Sequence, residues 1–320
     1  MDRYWFTWER QRRNIELSRA LSCEYFEFNY DKKNRFVRYI LSIYKTFLTI
    51  KEGRPKIVFG QNPSVVLVLT LILLRKIFKY KLVVDAHNSG IFPFEGRYRF
   101  ANYMMNKINC KSDLLLVTNN ELKKVAEKYG SRCFILQDKI PELYTNEIIK
   151  LDGNINFLFI CKYNEDEPYL ELFDAAKMIN DNIVIYVTGN YRKLNDEILK
   201  KVPNNVRLIG FVPEKEYEIM IKSVDAVIDL TKRENCLLCG AYEAVAAEKP
   251  IILSNKIALK EYFKFGTIFV DNNPMQIKIG IENLIKDKNK YVREISEFKK
   301  NIISEWNVEL NKLDNIISNQ

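Results

Sequence analysis

The stretch from Asp229 to Ile252, DLTKRENCLLCGAYEAVAAEKPII, constrains the fold of this chain more than any other. It reads as the end of an apolar strand, a polar loop, Gly240 where the backbone can approach a ligand closely, a helix at residues 241–247, and a second apolar strand. The start of a helix carries free N–H groups and a partial positive charge, which favour a phosphate, and Lys232 and Arg233 precede it. Glu243 lies within the helix, where a carboxylate can accept hydrogen bonds from sugar hydroxyls. The stretch therefore predicts a site for a phosphate and a sugar, although an ordinary strand–helix–strand crossover gives the same pattern.

Two series of alternating strands and helices follow one another along the chain. The first covers residues 4 to 136, and the second begins after the polar segment Lys150–Asn154. Two such series in 320 residues predict an α/β protein with two Rossmann-like domains that face a cleft. We expect the first domain at residues 1–150, the second at 151–300 and a terminal helix at 301–320.

The stretch at Asp229–Ile252 resembles the donor-binding signature of group 1 glycosyltransferases of the family 4 type, E-G-F-G-x-x-x-x-E-A-x-A-x-G-x-P. Glu243 matches the second glutamate, which contacts the ribose of the nucleotide in that family. Asn235 replaces the first glutamate, which contacts the donor sugar. The other matching residues are Ala244, Ala246 and Pro250. The resemblance implies a GT-B fold whose final helix packs back on the first domain. It also implies a nucleoside diphosphate sugar as donor substrate, with neither a metal nor another cofactor.

Further strand ends resemble the donor loops of the same family and occur in the same order. Lys162 follows the strand at residues 157–161 and takes the position of a basic residue that binds the donor diphosphate. Gly189 ends the next strand, and Phe211 and Val212 stand where backbone groups hold the base. The predicted donor-binding residues are Lys162, Gly189, Phe211, Val212, Lys232, Arg233, Asn235, Gly240, Ala241 and Glu243.

In the first domain, the segment KLVVDAHNSG at residues 81–90 is similar to the cytosolic β-1,4-mannosyltransferases of lipid-linked oligosaccharide synthesis. It places His87, the only histidine, in a loop at a strand's carboxyl end, where open α/β sheets bind ligands. His87 could exchange protons or hydrogen-bond the donor sugar, and Asp85 could orient it or act as the base toward the acceptor hydroxyl. Glu9 is the third predicted catalytic residue. This resemblance and Asn235 favour inversion over retention at the anomeric carbon.

Basic residues are concentrated in the first half of the chain. Residues 1–150 contain 27 Lys and Arg against 15 Asp and Glu, whereas residues 151–320 contain 23 against 26. Such asymmetry predicts an anionic partner for the first half. The segment Arg35–Lys51 has apolar residues at helical spacing with cations between them, typical of an interfacial helix or of a helix that covers a sheet. We expect the acceptor to be a lipid-linked or other saccharide at an anionic membrane surface.

Neither a signal peptide nor a membrane span is predicted. Arg3, Glu9 and Arg10 interrupt the start of the chain. The longest apolar run, Val65–Leu74, is interpreted as a buried helix, because a span needs ~20 residues. The six cysteines are typical of free thiols in a reducing compartment. We therefore expect a cytoplasmic protein, peripheral on the inner face of the cell membrane.

Other functions are compatible with the same sequence. A nucleotide-sugar epimerase would share the fold, a non-catalytic partner subunit would explain Asn235, and a nucleic-acid-binding protein would explain the basic first half. No recognised RNA or DNA motif is present, so nucleic acid is not expected as a partner. Cys236 and Cys239 form a single C-x-x-C pair, which does not suffice for zinc, and no metal site is expected. The donor base, the sugar and the linkage stay open.

Overall fold

Two six-stranded parallel sheets, one in each of two units, form the framework of the chain. The computed structural model describes residues 2–318; residues 1, 319 and 320, at the ends of the first and last predicted segments, lie outside that range. The first unit runs up to Lys139 and resumes at Glu305, and the second unit is Ile140–Ser304.

The sheet of the first unit has the order β2-β1-β3-β4-β5-β6. Its strands are β1 (Arg3–Thr7), β2 (Glu24–Glu27), β3 (Ile57–Asn62), β4 (Lys81–Ala86), β5 (Leu114–Val117) and β6 (Cys133–Ile135). Its helices are α1 (Arg12–Ala20), α2 (Arg35–Gly53), α3 (Val65–Phe78), α4 (Asn88–Ile91), α5 (Arg99–Asn109) and α6 (Asn120–Lys128). Apolar residues of α2, α3 and α6 pack in a core on one face of the sheet, and those of α1 pack in a second core.

The sheet of the second unit has the order β12-β11-β10-β7-β8-β9. Its strands are β7 (Ile155–Phe159), β8 (Ile183–Thr188), β9 (Val206–Gly210), β10 (Ala226–Asp229), β11 (Ile251–Ser254) and β12 (Thr267–Val270). The helices that follow are α7 (Tyr169–Ala176), α8 (Asp196–Leu199), α9 (Glu214–Ser223), α10 (Cys239–Ala246), α11 (Ile257–Tyr262), α12 (Pro274–Lys286) and α13 (Lys288–Ser318). The strand order reverses between the neighbours β7 and β10, the point at which open α/β sheets bind ligands.

Side-chain caps explain several of the helix starts. The Asn119 side chain accepts a hydrogen bond from the Leu122 N–H (3.0 Å) where α6 begins, and the Asn34 side chain does the same for Val37 (2.9 Å) at α2. Such caps satisfy N–H groups that have no partner inside the helix.

The boundary between the units lies at Lys139 and Ile140, about ten residues before the predicted position. Ile140 is buried in a core of the second unit, and Leu143 packs against the same core. The glycine and polar residues of the segment at 150–154 therefore mark a turn inside the second unit and not a linker.

Two helices also differ from the prediction: the last helix in where it begins, and α3 in how far it is buried. Helix α13 begins at Lys288, and from Glu305 onward its residues belong to the first unit, where Trp306 and Leu313 are buried. The sequence predicts a buried α3, yet Leu73 is 60% and Ile77 65% exposed on its outer side. The apolar run reflects one buried side and one apolar exposed side. Within residues 2–318, no helix is long and apolar enough to cross a membrane.

Candidate active site

The predicted donor residues lie at one edge of the second sheet, which we call the donor edge: the carboxyl ends of β7, β8, β9 and β10 with the loops that follow them. Because all of these strands are parallel, their carboxyl ends lie on the same side of the sheet. Lys162 follows β7, Gly189 follows β8, and Phe211 and Val212 follow β9. The polar loop after β10 leads into α10, which carries Glu243.

The loop after β7 is held in shape by the carboxylate of Glu167. One oxygen of this carboxylate accepts hydrogen bonds from the N–H groups of Lys162 (3.0 Å) and Asn164 (2.8 Å). Gly189 has a φ of +91°, and a Cβ at this position would overlap the carbonyl oxygen of Cys161. The ammonium group of Lys193 donates to the carbonyl of Lys162 (3.3 Å). Lys162 and Lys193 therefore bring two positive charges to the same loop.

The cations of the loop after β10 contact carboxylates of the second unit. The Arg233 guanidinium lies 3.1 Å from Asp166, and the Lys232 ammonium lies 3.2 Å from Glu171. The backbone N–H of Lys232 also donates to the carbonyl of Asp166 (2.7 Å), which joins this loop to the loop after β7. The two cations predicted to bind phosphate therefore have their charges balanced within the unit, which leaves Lys162 and Lys193 better placed for that role.

Helix α10 begins directly over the buried carboxyl group of Asp229. A Cβ on Gly240 would lie 2.5 Å from an oxygen of Asp229 and 2.5 Å from the side chain of Ile160, so a larger residue would force these side chains to move. Burial raises the pKa of Asp229 well above its ordinary value, and the negative charges of Glu243 and Glu167 raise it further. Asp229 therefore keeps its proton to a higher pH than an exposed aspartate does.

The carboxylate of Glu243 is oriented by a tyrosine from another helix. The hydroxyl of Tyr217, on α9, donates a hydrogen bond of 2.5 Å to Glu243. Burial raises the pKa of Tyr217, and the neighbouring charge of Glu243 raises it further, so the hydroxyl keeps its proton. A fixed carboxylate in the second turn of α10 can accept hydrogen bonds from the hydroxyls of a ribose.

The remaining predicted donor residues differ in how far their side chains are exposed to solvent. The Phe211 side chain is 87% exposed and follows Gly210, which has a φ of +77°. Ala241 is fully buried, and its N–H donates to the carbonyl of Leu238 (3.2 Å). Asn235 is half-buried in the loop before α10.

In the first unit, Asp85 belongs to a buried ion-pair network. Both of its oxygens contact the guanidinium of Arg13, at 2.9 to 3.2 Å, and Arg13 also contacts Asp138 at 2.6 Å. Burial by itself would raise the pKa of Asp85, but the charge of Arg13 and the hydrogen bonds of His87 and Arg13 together outweigh it and lower the pKa. A carboxylate held in this way is a weak proton acceptor, so its geometry suits the orientation of His87 better than general-base catalysis.

The structure brings His87 and Asp85 together, while Glu9 lies elsewhere on the same edge of the sheet. The Nε2 atom of His87 lies 3.4 Å from Asp85. Glu9 follows β1, which is separated from β4 by β3. Glu9 lines a cavity of about 290 Å³ whose wall also includes Ser89, two residues beyond His87.

Several residues of these sites were missed at the sequence level: Arg13, Glu167, Lys193, Tyr217 and Asp229. Except for Glu167, which acts within its own loop, each acts through a partner on another element, and no spacing pattern indicates such a partner. Of these residues, only Asp229 could have been found from the sequence, because it is an acidic residue at the end of an otherwise apolar strand. Within residues 2–318, no group of three His, Cys, Asp or Glu side chains could hold a metal ion.

Comparison with known families gives a match within the second unit. Residues 144–301 match the family described as Glycosyl transferases group 1. A comparison with curated protein sequences gave no match.

Solved structures resemble the chain over most of its length. Sucrose-phosphate synthase from Thermosynechococcus elongatus has a TM-score of 0.73 at 11% identity, with 92% of this chain and 82% of that chain covered. HepE from Anabaena, in complex with UDP and glucose, has a TM-score of 0.73 at 12% identity, with coverage of 96% and 89%. The lipopolysaccharide outer core galactosyltransferase WaaB has a TM-score of 0.61 at 15% identity, with coverage of 93% and 85%. Together with the two parallel α/β units, these likenesses confirm the predicted GT-B fold.

Proposed function

We propose that this protein transfers a sugar from a nucleoside diphosphate sugar to a hydroxyl group of an acceptor. The observation that carries the proposal is the carboxylate of Glu243, which Tyr217 holds at the donor edge of a unit that matches the group 1 glycosyltransferases. HepE, which has the same fold, was solved with UDP and glucose, and this supports a nucleotide sugar as the donor.

Each group at the donor edge has a distinct role in the proposed reaction. Glu243 accepts hydrogen bonds from the ribose hydroxyls. Lys162 and Lys193 stabilise the negative charge that develops on the β-phosphate as the sugar leaves, because a fixed charge near a developing anion lowers the barrier. The raised pKa of the buried Asp229 carboxyl group favours its neutral form, which limits the negative charge at this edge.

We infer an inverting mechanism, in which a base accepts the proton of the acceptor hydroxyl as its oxygen attacks the anomeric carbon. His87 and Glu9 are the candidate bases, and Asp85 orients His87. Asn235 in place of the family's first glutamate supports inversion, as does the similarity of residues 81–90 to β-1,4-mannosyltransferases. NMR determination of the product's anomeric configuration tests the inference, and a retained configuration would refute it.

The proposed acceptor is a lipid-linked saccharide at the inner face of the cell membrane, in the assembly of a surface polysaccharide. Support comes from the outer sides of α2 and α3, which expose large apolar side chains; we call this surface the α2–α3 face. Its residues are Phe36, Ile40, Tyr44, Leu69, Leu73 and Ile77. Cations interrupt the apolar residues of α2, a combination that favours an anionic bilayer. WaaB, which acts on the lipopolysaccharide outer core, has the same fold.

The first test measures thermal stabilisation of the purified protein by UDP, GDP, ADP and CDP. A nucleotide at 100 times its Kd should stabilise the folded protein by about 2.7 kcal/mol. We expect one of the four to raise the melting temperature of the wild type, Glu243→Ala to abolish the shift, and Tyr217→Phe to reduce it. Tyr291→Phe, which changes a half-buried tyrosine on α13, is the matched control and should behave as the wild type.

The same experiment separates the competing functions. If no nucleotide stabilises the wild type, the donor site is refuted and a partner subunit or a nucleic-acid-binding protein is favoured. If a nucleotide binds, its sugar conjugate is supplied with and without an acceptor fraction from membranes. Sugar turnover without acceptor would indicate an epimerase, whereas release of the nucleotide that depends on acceptor supports transfer.

A further inference from the structure

The cavity beside Glu9 in the first unit combines positive charge, hydroxyl groups and apolar wall. Its volume is about 290 Å³, and Arg35, Arg38, Ser64 and Phe94 belong to its lining. We propose that this cavity binds the diphosphate group of a prenyl-diphosphate-linked acceptor, with Arg35 and Arg38 as the residues that contact the phosphates. The inference rests on the proposed function and assigns a binding site to its acceptor.

Both guanidinium groups lie near one aromatic ring of the cavity lining, that of Tyr39. Arg38 lies 5.3 Å and Arg35 6.0 Å from the centre of this ring. Arg38 forms an ion pair of 3.1 Å with Asp31, an exposed side chain. Arginine binds phosphate oxygens through two parallel hydrogen bonds, so a pair of arginines at one cavity matches a diphosphate.

The position of the arginines on α2 also favours an anion. Arg35 is the first residue of the helix, and its first turn contains no acidic residue. Because the helix start carries a partial positive charge, an arginine there is less stable than an acid would be. A bound anion would remove this unfavourable interaction.

Apolar surface leads away from the cavity along the same two helices. Val65 and Val66, in the first turn of α3, line the cavity, and the α2–α3 face begins with Phe36 beside Arg35. An anion site that adjoins exposed apolar helices matches an amphiphile, because one end of the ligand is charged and the other is a hydrocarbon. A free sugar or a free nucleotide would leave the apolar surface unused.

Glu9 is the acidic member of the cavity lining and distinguishes its two ends. A carboxylate repels phosphate but accepts hydrogen bonds from sugar hydroxyls. The arrangement therefore orients the acceptor, with its phosphates toward α2 and its saccharide toward the carboxyl ends of β1 and β4, where Glu9 and His87 lie.

The test is isothermal titration calorimetry of the full-length protein with farnesyl diphosphate, inorganic diphosphate and farnesol. We expect farnesyl diphosphate to bind more tightly than the other two. The double variant Arg35→Gln and Arg38→Gln should raise its Kd about tenfold or more, since two charge-assisted hydrogen-bonding groups are lost. The matched control, Lys45→Gln and Lys51→Gln, removes the same charge from exposed positions farther along α2 and should leave the Kd within about twofold.

Three results would overturn the inference: no binding of farnesyl diphosphate to the wild type, equal binding to the double variant, or equal affinity for inorganic diphosphate. Titration of Glu243→Ala should give the wild-type Kd, since a lower affinity would place the ligand at the donor edge instead. Nucleotide stabilisation is measured on the same samples. If the protein binds a nucleotide but no farnesyl diphosphate, the proposed donor site stands and the proposed acceptor site is refuted. If it binds farnesyl diphosphate but no nucleotide, the acceptor site in the cavity stands and the proposed transfer function is refuted.

Discussion

At the scale of single residues, the sequence located the donor edge but not the interactions that shape it. Lys162 and Glu243 were placed correctly after β7 and within α10, because strand and helix patterns are local. Tyr217 lies 26 positions before Glu243, and only the packing of α9 against α10 brings the two side chains together. For the same reason the ion pairs of Lys232 and Arg233 could not be predicted from their position before a helix.

The raised pKa of the Asp229 carboxyl group predicts how stability changes with pH. Its folded-state pKa lies above the unfolded value of about 3.9, so the unfolded chain releases this proton first as the pH rises. Between about pH 4 and the folded-state pKa, this group therefore lowers the free energy of unfolding of the wild type by about 1.4 kcal/mol for each unit that the pH rises. Asp229→Asn removes this contribution and should stabilise the protein relative to the wild type at pH 7, but not near pH 4.

Chemical denaturation at several pH values measures this difference in the free energy of unfolding. Asp181→Asn, at an exposed position of the same unit, gives the background for an Asp-to-Asn change. A stability difference between Asp229→Asn and the wild type that grows on acidification would contradict the prediction.

At the scale of secondary-structure elements, the spacing of apolar residues predicted where the long helices lie. It did not predict which side of each helix is buried and which is exposed to solvent. Helix α2 covers the sheet on one side, where Thr46 and Ile50 are buried, and exposes Phe36 and Ile40 on the other; its predicted role as an interfacial helix stays a prediction. Helix α3 is apolar on both sides, and an apolar run alone cannot show which side faces solvent. Tertiary packing decides this, and it is not encoded in a local pattern.

The exposed sides of these helices predict binding to membranes. The triple variant Phe36→Ser, Ile40→Ser and Leu73→Ser should lower the fraction that sediments with vesicles of anionic phospholipid about tenfold, because each side chain loses apolar area that the bilayer would bury. The matched control changes Val292, Ile303 and Val308 to serine, all exposed apolar residues of α13. Equal sedimentation of the triple variant and the wild type would argue against the α2–α3 face as the membrane contact.

At the scale of the whole molecule, the number of units and their parallel sheets could be predicted, because two series of alternating patterns are visible in the sequence. The boundary was misplaced because the segment after Lys139 has no regular structure, yet it packs on the second unit. The discontinuous composition of the first unit, which includes residues from Glu305 onward, came from a family resemblance and not from the residues themselves.

Trp306 shows how much the first unit depends on this late segment. Its indole is buried in a core of the first unit, and its N–H donates to the carbonyl of Gln137 (3.0 Å). Trp306→Ala should lower the free energy of unfolding by about 3–5 kcal/mol. Guanidinium denaturation followed by circular dichroism measures the loss, and Val308→Ala, an exposed change on the same helix, is the control. A loss below about 1 kcal/mol would show that the unit is stable without this side chain.

Helix α13 also determines when the first unit can complete its fold during synthesis on the ribosome. The sheet of the first unit is synthesised first, but Trp5 and Leu17 pack in a core that also contains Leu313 and Ile317. The face of the sheet that carries Trp5 therefore stays only partly covered, by α1, while the second unit is being translated. The first unit completes its fold only after its second segment, from Glu305 onward, has been made, and until then its incomplete core is a site of aggregation risk.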